Sequence, residues 1–99
     1  MKISLKETGI HAHLRGRMQQ RGISIEEIET TINSGWDAKD AKEGTVGKVY
    51  VFAYNASWEG RHFDEKEVSV YYKPKGREII LLTAKARYGR HFPKGGDQA

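Results

Sequence analysis

Ile10, Leu14 and Met18 recur at i, i+4 and i+8, an apolar stripe that predicts a helix. Thr8 is a suitable N-cap and Gly22 a suitable C-terminal breaker, so this helix is expected from about Gly9 to Arg21. Next comes Ser24-Ile-Glu-Glu27, a capping box in which hydroxyl and carboxylate satisfy each other's exposed backbone amides. Ile25, Ile28 and Ile32 then fall at i, i+3 and i+7 before Ser34-Gly35 ends the pattern, which predicts a second helix over residues 24–34. From Trp36 to Gly47 no period is sustained and a loop is expected.

Beyond Gly47 the period changes to two. Lys48 to Tyr54 (KVYVFAY), Glu67 to Lys73 (EVSVYYK) and Arg77 to Ala86 (REIILLTAKA) are rich in β-branched and aromatic residues and predict three strands. Pro74-Lys75-Gly76 fits a type II turn that would join the last two as a hairpin. The link from Asn55 to Lys66 has room for a short extra strand, and Gly95 to Ala99 reads as a frayed end. The expected fold is α+β, with two N-terminal helices packed on one face of a three- to four-stranded antiparallel sheet. The other face is left for solvent or a ligand.

Composition narrows the function. A chain of 99 residues is expected to be one domain with one site. Its longest apolar run, Ile79 to Leu82, is too short to span a bilayer. There is no secretory h-region and no cysteine, so disulfides, thiol catalysis and thiolate metal sites are excluded and a cytoplasmic setting is expected. The net charge of +4 is unevenly spread. Arg15, Arg17 and Arg21 lie in an acid-free stretch, as do Lys85, Arg87, Arg90 and Lys94. Those seven of the 17 basic residues leave ten to face all 13 acids, so the remainder nets −3.

Two constellations could carry chemistry. His13, Arg17 and Arg21 are spaced i, i+4, i+8 on the first helix, which reads as a solvated basic face or as arginines paired with Asp or Glu from the loops before it reads as a phosphate-binding ridge. In the last strand Thr83, Lys85 and Arg87 should share one face, with Leu82, Ala84 and Ala86 on the other, and Tyr88, Arg90 and His91 follow at the strand end. Lysine and arginine can neutralise a pentacoordinate phosphate, histidine can move protons and tyrosine can position a base. The same residues also suit a basic edge strand protected by its charge. Lys39 and Asp40 could add an acid/base pair or simply a surface turn. His11, His13, His62 and His91 come without HExxH or clustered carboxylates, so no metal site and no cofactor are expected.

The run His13-x-x-x-Arg17-Met18-x-x-Arg21-Gly22-Ile23-Ser24, followed by Glu26-Glu27-Ile28, GWDAKDA, KVYVFAYNASWEG, EKEVSVYYK and LLTAKARYG, resembles the bacterial domain-of-unknown-function family 4258 over nearly the whole chain. That family is similar in layout to the small toxin ribonucleases of the RelE and BrnT type. The resemblance implies helices on one face of an antiparallel sheet and an RNA-cleaving surface on the other. His13, Arg17 and Arg21 match the helix motif, while Lys85, Arg87 and Tyr88 lie where the toxin ribonucleases place basic and aromatic catalytic groups.

The expectation is therefore a metal-independent endoribonuclease. In it Arg17, Arg21, Lys39, Arg90 and Arg87 bind RNA, Lys85 stabilises the transition state, His13 or His91 is acid or base, and Tyr88 positions a base or proton. It requires the two basic segments to converge in one pocket. The alternatives are a non-catalytic module that binds RNA or a partner protein such as an acidic antitoxin, and a small domain whose sheet face forms a homodimer.

Overall fold

The computed structural model describes residues 10–95. Two helices, α1 (Ala12–Arg21) and α2 (Ile25–Ser34), precede four strands, β1 (Trp36–Asp37), β2 (Val46–Trp58), β3 (Arg61–Lys75) and β4 (Glu78–Gly89). The strands form one antiparallel sheet in the order β1-β2-β3-β4, and both helices cover the same face. This is the α+β arrangement that the change of period from helical to two predicts. Among the described residues no helix is long and apolar enough to cross a membrane.

The helix ends follow from capping chemistry. α1 begins later than its apolar stripe suggests, because His11 is the N-cap and its Nδ1 accepts the Leu14 amide at 3.2 Å. The expected cap Thr8 and first residue Gly9 lie outside the described residues. Gly22 closes α1 with φ 70°, and a Cβ there would lie 2.6 Å from the Trp58 ring, so both conformation and space call for glycine. α2 carries the expected capping box. Glu27 N–H donates to Ser24 Oγ at 3.1 Å and Ser24 N–H donates to Glu27 Oε1 at 2.9 Å.

The strands depart from expectation in four places. The loop after α2 contains β1, where Trp36 pairs with Val49 and Asp37 with Lys48, and Lys48 Nζ donates to Asp37 Oδ1 at 2.6 Å. β2 and β3 run through the expected link to a two-residue turn, Glu59-Gly60, whose φ values of 50° and 84° are both left-handed as this hairpin requires. That extension joins Tyr54, Trp58, Phe63 and Tyr88 in one aromatic cluster, the packing that a reading by period alone does not foresee. The β3–β4 turn is Gly76-Arg77 rather than one led by proline; Pro74 sits inside β3 opposite Ile79, beyond the end of β2, so its missing donor costs no ladder bond.

The fourth departure is a bulge. The pairs Tyr71 with Thr83 and Tyr72 with Leu81 leave Leu82 unmatched. Leu82 was expected to share a face with Ala84 and Ala86; instead Leu81 is buried with Ala84, and Leu82 is 45% exposed.

Cross-strand partners share a face, so register assigns the rest. Val68, Val70 and Ala84 face the helices and pack with Leu14, Met18, Ile23, Ile28 and Ile32 in the core. The alternate residues Glu67, Ser69 and Tyr71 of β3, with Lys85 and Arg87 of β4, face away. Among the described residues one charged side chain is buried on the helix side. Lys66 is 2% exposed, and its ammonium donates to both Glu27 oxygens, at 2.8 and 3.0 Å, and to the Gly22 carbonyl. It also lies 5.6 and 5.4 Å from the Tyr54 and Tyr88 ring centres.

Truncating Lys66 to alanine should cost about 3–5 kcal/mol, because a partly buried carboxylate and a carbonyl lose their cation together. Urea unfolding of Lys66→Ala and of Lys66→Met/Glu27→Gln checks this: the double variant, with no unpaired charge, should be the more stable of the two.

Candidate functional site: the open sheet face

β3 and β4 present rows of side chains on the uncovered face. Glu67 stands opposite Arg87, Ser69 opposite Lys85, and Tyr71 opposite Thr83. Successive rows on one face are about 6.6 Å apart. Above them the segment after β1 folds over the sheet, fastened where Ala38 N–H donates to Gly47 O at 2.9 Å and where Tyr71 Oη donates to Asp40 Oδ1 at 2.7 Å. Gly47 makes that reach possible: a Cβ there would lie 2.8 Å from the Tyr71 ring and 2.9 Å from Ala38. The cleft so enclosed has a volume of ≈ 450 Å³, and Trp36, Lys39, Glu67, Lys85, Arg87 and Pro93 are among its walls.

The electrostatics of the cleft are set by pairs. Arg87 Nε donates to Glu67 Oε1 at 2.8 Å, which leaves both Nη groups without a hydrogen bond among the described residues, and this bond raises the Arg87 pKa. The Phe92 ring lies 4.9 Å from the Arg87 guanidinium carbon, because the chain after β4 turns back over the sheet. That return is held by Glu65, which accepts the Phe92 amide at 3.0 Å and pairs with Lys94 at 2.7 Å; these bonds, the lysine's first, hold the Glu65 pKa below its usual value. Lys85 Nζ stands 5.0 Å from the Tyr71 ring centre. Burial, and then the bond to Asp40, push the Tyr71 hydroxyl up to about 12.

The residues singled out in the sequence divide between two faces. Lys85, Arg87 and Lys39 meet in the open cleft. His13, Arg17 and Arg21 lie on α1, across the sheet. The two basic segments do touch, but through structural bonds: Arg21 Nη1 donates to Ala84 O and Tyr88 Oη donates to Arg21 O, each at 2.6 Å. Tyr88 faces the helices, stacked on Trp58 with ring centres 5.0 Å apart, and burial raises its hydroxyl to about 12. His13 and Arg17 are exposed on the outer surface of α1. Arg90 and His91 are exposed past the end of β4, and His91 has φ 62°. The one pocket expected from helix and strand together is thus replaced by a sheet-face cleft and a separate helix surface. Among the described residues no group of three or more His, Asp or Glu side chains is arranged to hold a metal ion.

Glu67, Ser69 and Tyr71 were missed in the sequence because nothing in EVSVYYK says which alternate residues face away from the helices. The signal lay in β4, where acid-free Lys85 and Arg87 needed partners across the hairpin.

Comparison with known families decides where this chain belongs. The family described as a domain of unknown function (DUF4258) matches residues 10–85. The chain is a member of the DUF4258 family. No curated protein and no solved structure matches it. The DUF4258 match covers α1 through Lys85, and so includes both the helix ridge and the flap over the cleft, while Arg87, Tyr88, Arg90 and His91 fall past its end.

Tyr71 supplies a pH prediction. A phenol raised above its ordinary 10.0 contributes stability in full below pH 10 and loses it as pH climbs through about 12. Alkaline titration followed by tyrosinate absorbance should lose one late-ionising step in Tyr71→Phe; a late portion unchanged by the substitution would contradict the assignment.

Proposed function

We propose that the open sheet face binds single-stranded RNA and cleaves it by metal-independent transesterification. The observation that carries the reading is the Glu67–Arg87 pair beside Lys85, a carboxylate and two cations in adjacent rows of one cleft. The uncommitted Nη groups of Arg87 and the ammonium of Lys85 take the non-bridging oxygens of a phosphate. Glu67 accepts the proton of the 2′-hydroxyl as that oxygen attacks phosphorus. The P–O5′ bond breaks and Lys85 returns a proton to the departing 5′ oxygen, leaving a 2′,3′-cyclic phosphate and a 5′-hydroxyl. The layout resemblance to RelE-type toxin ribonucleases supports the same face. His13, Arg17 and Arg21, on the far side of the sheet, play no part in this scheme.

One observation favours a second reading. Among the described residues the walls of the cleft include no histidine, the commonest proton-transfer group in catalysis. A module that holds RNA by its phosphates and does not cut it needs only the cations.

Incubating purified protein with RNA in EDTA separates the two. Cleavage with new 5′-hydroxyl ends is expected, falling by about 100-fold or more in Arg87→Ala and in Glu67→Gln, with His13→Ala unaffected. Salt-dependent retention of intact RNA would establish the binder, and neither cleavage nor retention would reject both.

A further inference from the structure

The cleft does not end at Tyr71. On the far side of the Tyr71–Asp40 bond lies a recess of ≈ 350 Å³ that shares Asp40, Tyr71 and Lys85 with the main cleft. Lys85 therefore stands at the junction of two chambers. The second chamber has a different chemistry, with Leu82 and Thr83 on the strand side and Lys42 and Thr45 on the loop side.

Two features mark this recess as built for a ligand. Leu82 is 45% exposed, one of the two large apolar side chains so exposed among the described residues, and it lies in the wall of the recess. It is there because of the β4 bulge, which places Leu82 and Thr83 at the same chamber where a regular strand would send them to opposite faces. In addition, the half-buried Thr83 hydroxyl makes no hydrogen bond among the described residues, and so remains available both to donate and to accept. Thr45 is partly committed, its hydroxyl donating to Lys42 O at 2.6 Å, which fixes the loop side of the chamber.

We infer that this recess is a nucleobase subsite: it takes the base next to the phosphate held at Lys85, with Leu82 against the flat face of the ring and Thr83 on its polar edge. The inference rests on the proposed RNA-binding face and adds to it a source of base selectivity. Apolar contact with the ring and a hydrogen bond to its edge are the means by which proteins read unpaired bases. A phosphate bound at Lys85 would leave one neighbouring nucleoside at this chamber and the other in the main cleft.

The test is fluorescence anisotropy with labelled tetraribonucleotides carrying 2′-O-methyl groups, which block cleavage, compared with an abasic tetramer of the same charge. Wild-type protein should bind at least one base-bearing tetramer about tenfold more tightly than the abasic one. Leu82→Ser and Thr83→Val, both changes at accessible positions, should shrink that ratio towards one while leaving abasic binding unchanged. Lys85→Ala should weaken both probes alike. A base-to-abasic ratio that neither Leu82→Ser nor Thr83→Val alters would overturn the subsite and leave the RNA-binding face standing. No binding of any tetramer by wild-type protein would overturn that face, and the subsite with it.

Discussion

The buried ammonium of Lys66 is the contact on which the arrangement of this chain depends. Three independent pieces meet at it: the carbonyl that ends α1, the carboxylate that starts α2, and the middle of β3. Glu27 serves two masters, because one of its oxygens also accepts the Ser24 amide that caps α2. The cap and the ion pair therefore orient one another. A charge in this position is tolerable only because every donor finds a partner and aromatic rings fill the remaining space. With the helix pair held in this way on one side of the sheet, the other side is free to present polar side chains.

The uncovered side gains its character from register. Each cation of β4 is set against a polar partner on β3, and the flap after β1 is drawn over them by Tyr71. The strands supply Lys85 and Arg87 while a loop supplies Lys39 and Asp40, so the floor is a paired sheet and the roof is tethered at a few points.

Much of this was legible in the sequence. The stripe Ile10, Leu14 and Met18, the capping box at Ser24 and the helix end at Gly22 each depend on neighbours a turn away, and short-range physics fixes them. The sheet was legible as strands, and alternation within β4 put Thr83, Lys85 and Arg87 on one face, but the pairing between strands was not legible. Counting back from the Gly76-Arg77 turn without a bulge would set Glu67 opposite Ala86 and send Arg87 to the wrong partner; the unmatched Leu82 restores the pairing. A single residue out of step inverts every face beyond it, and no local preference announces it. The candidate site inherited that gap. Lys85, Arg87 and Lys39 were identified by charge alone, whereas Glu67 and Tyr71 became visible only through the register. Tyr88 and Arg21 read as chemistry in the sequence because their types suit it, yet their polar groups bond the helix to the strand.

That bond between Arg21 and the Ala84 carbonyl also bears on solubility. β4 is the outer strand of the sheet, and an outer strand offers unpaired backbone groups to any passing chain. Here a guanidinium from the covering helix occupies one of those acceptors, a bulge breaks the straight line of the rest, and the other margin of the sheet is a strand of two residues. Both margins are thus blunted against the lateral pairing by which exposed edge strands join other chains.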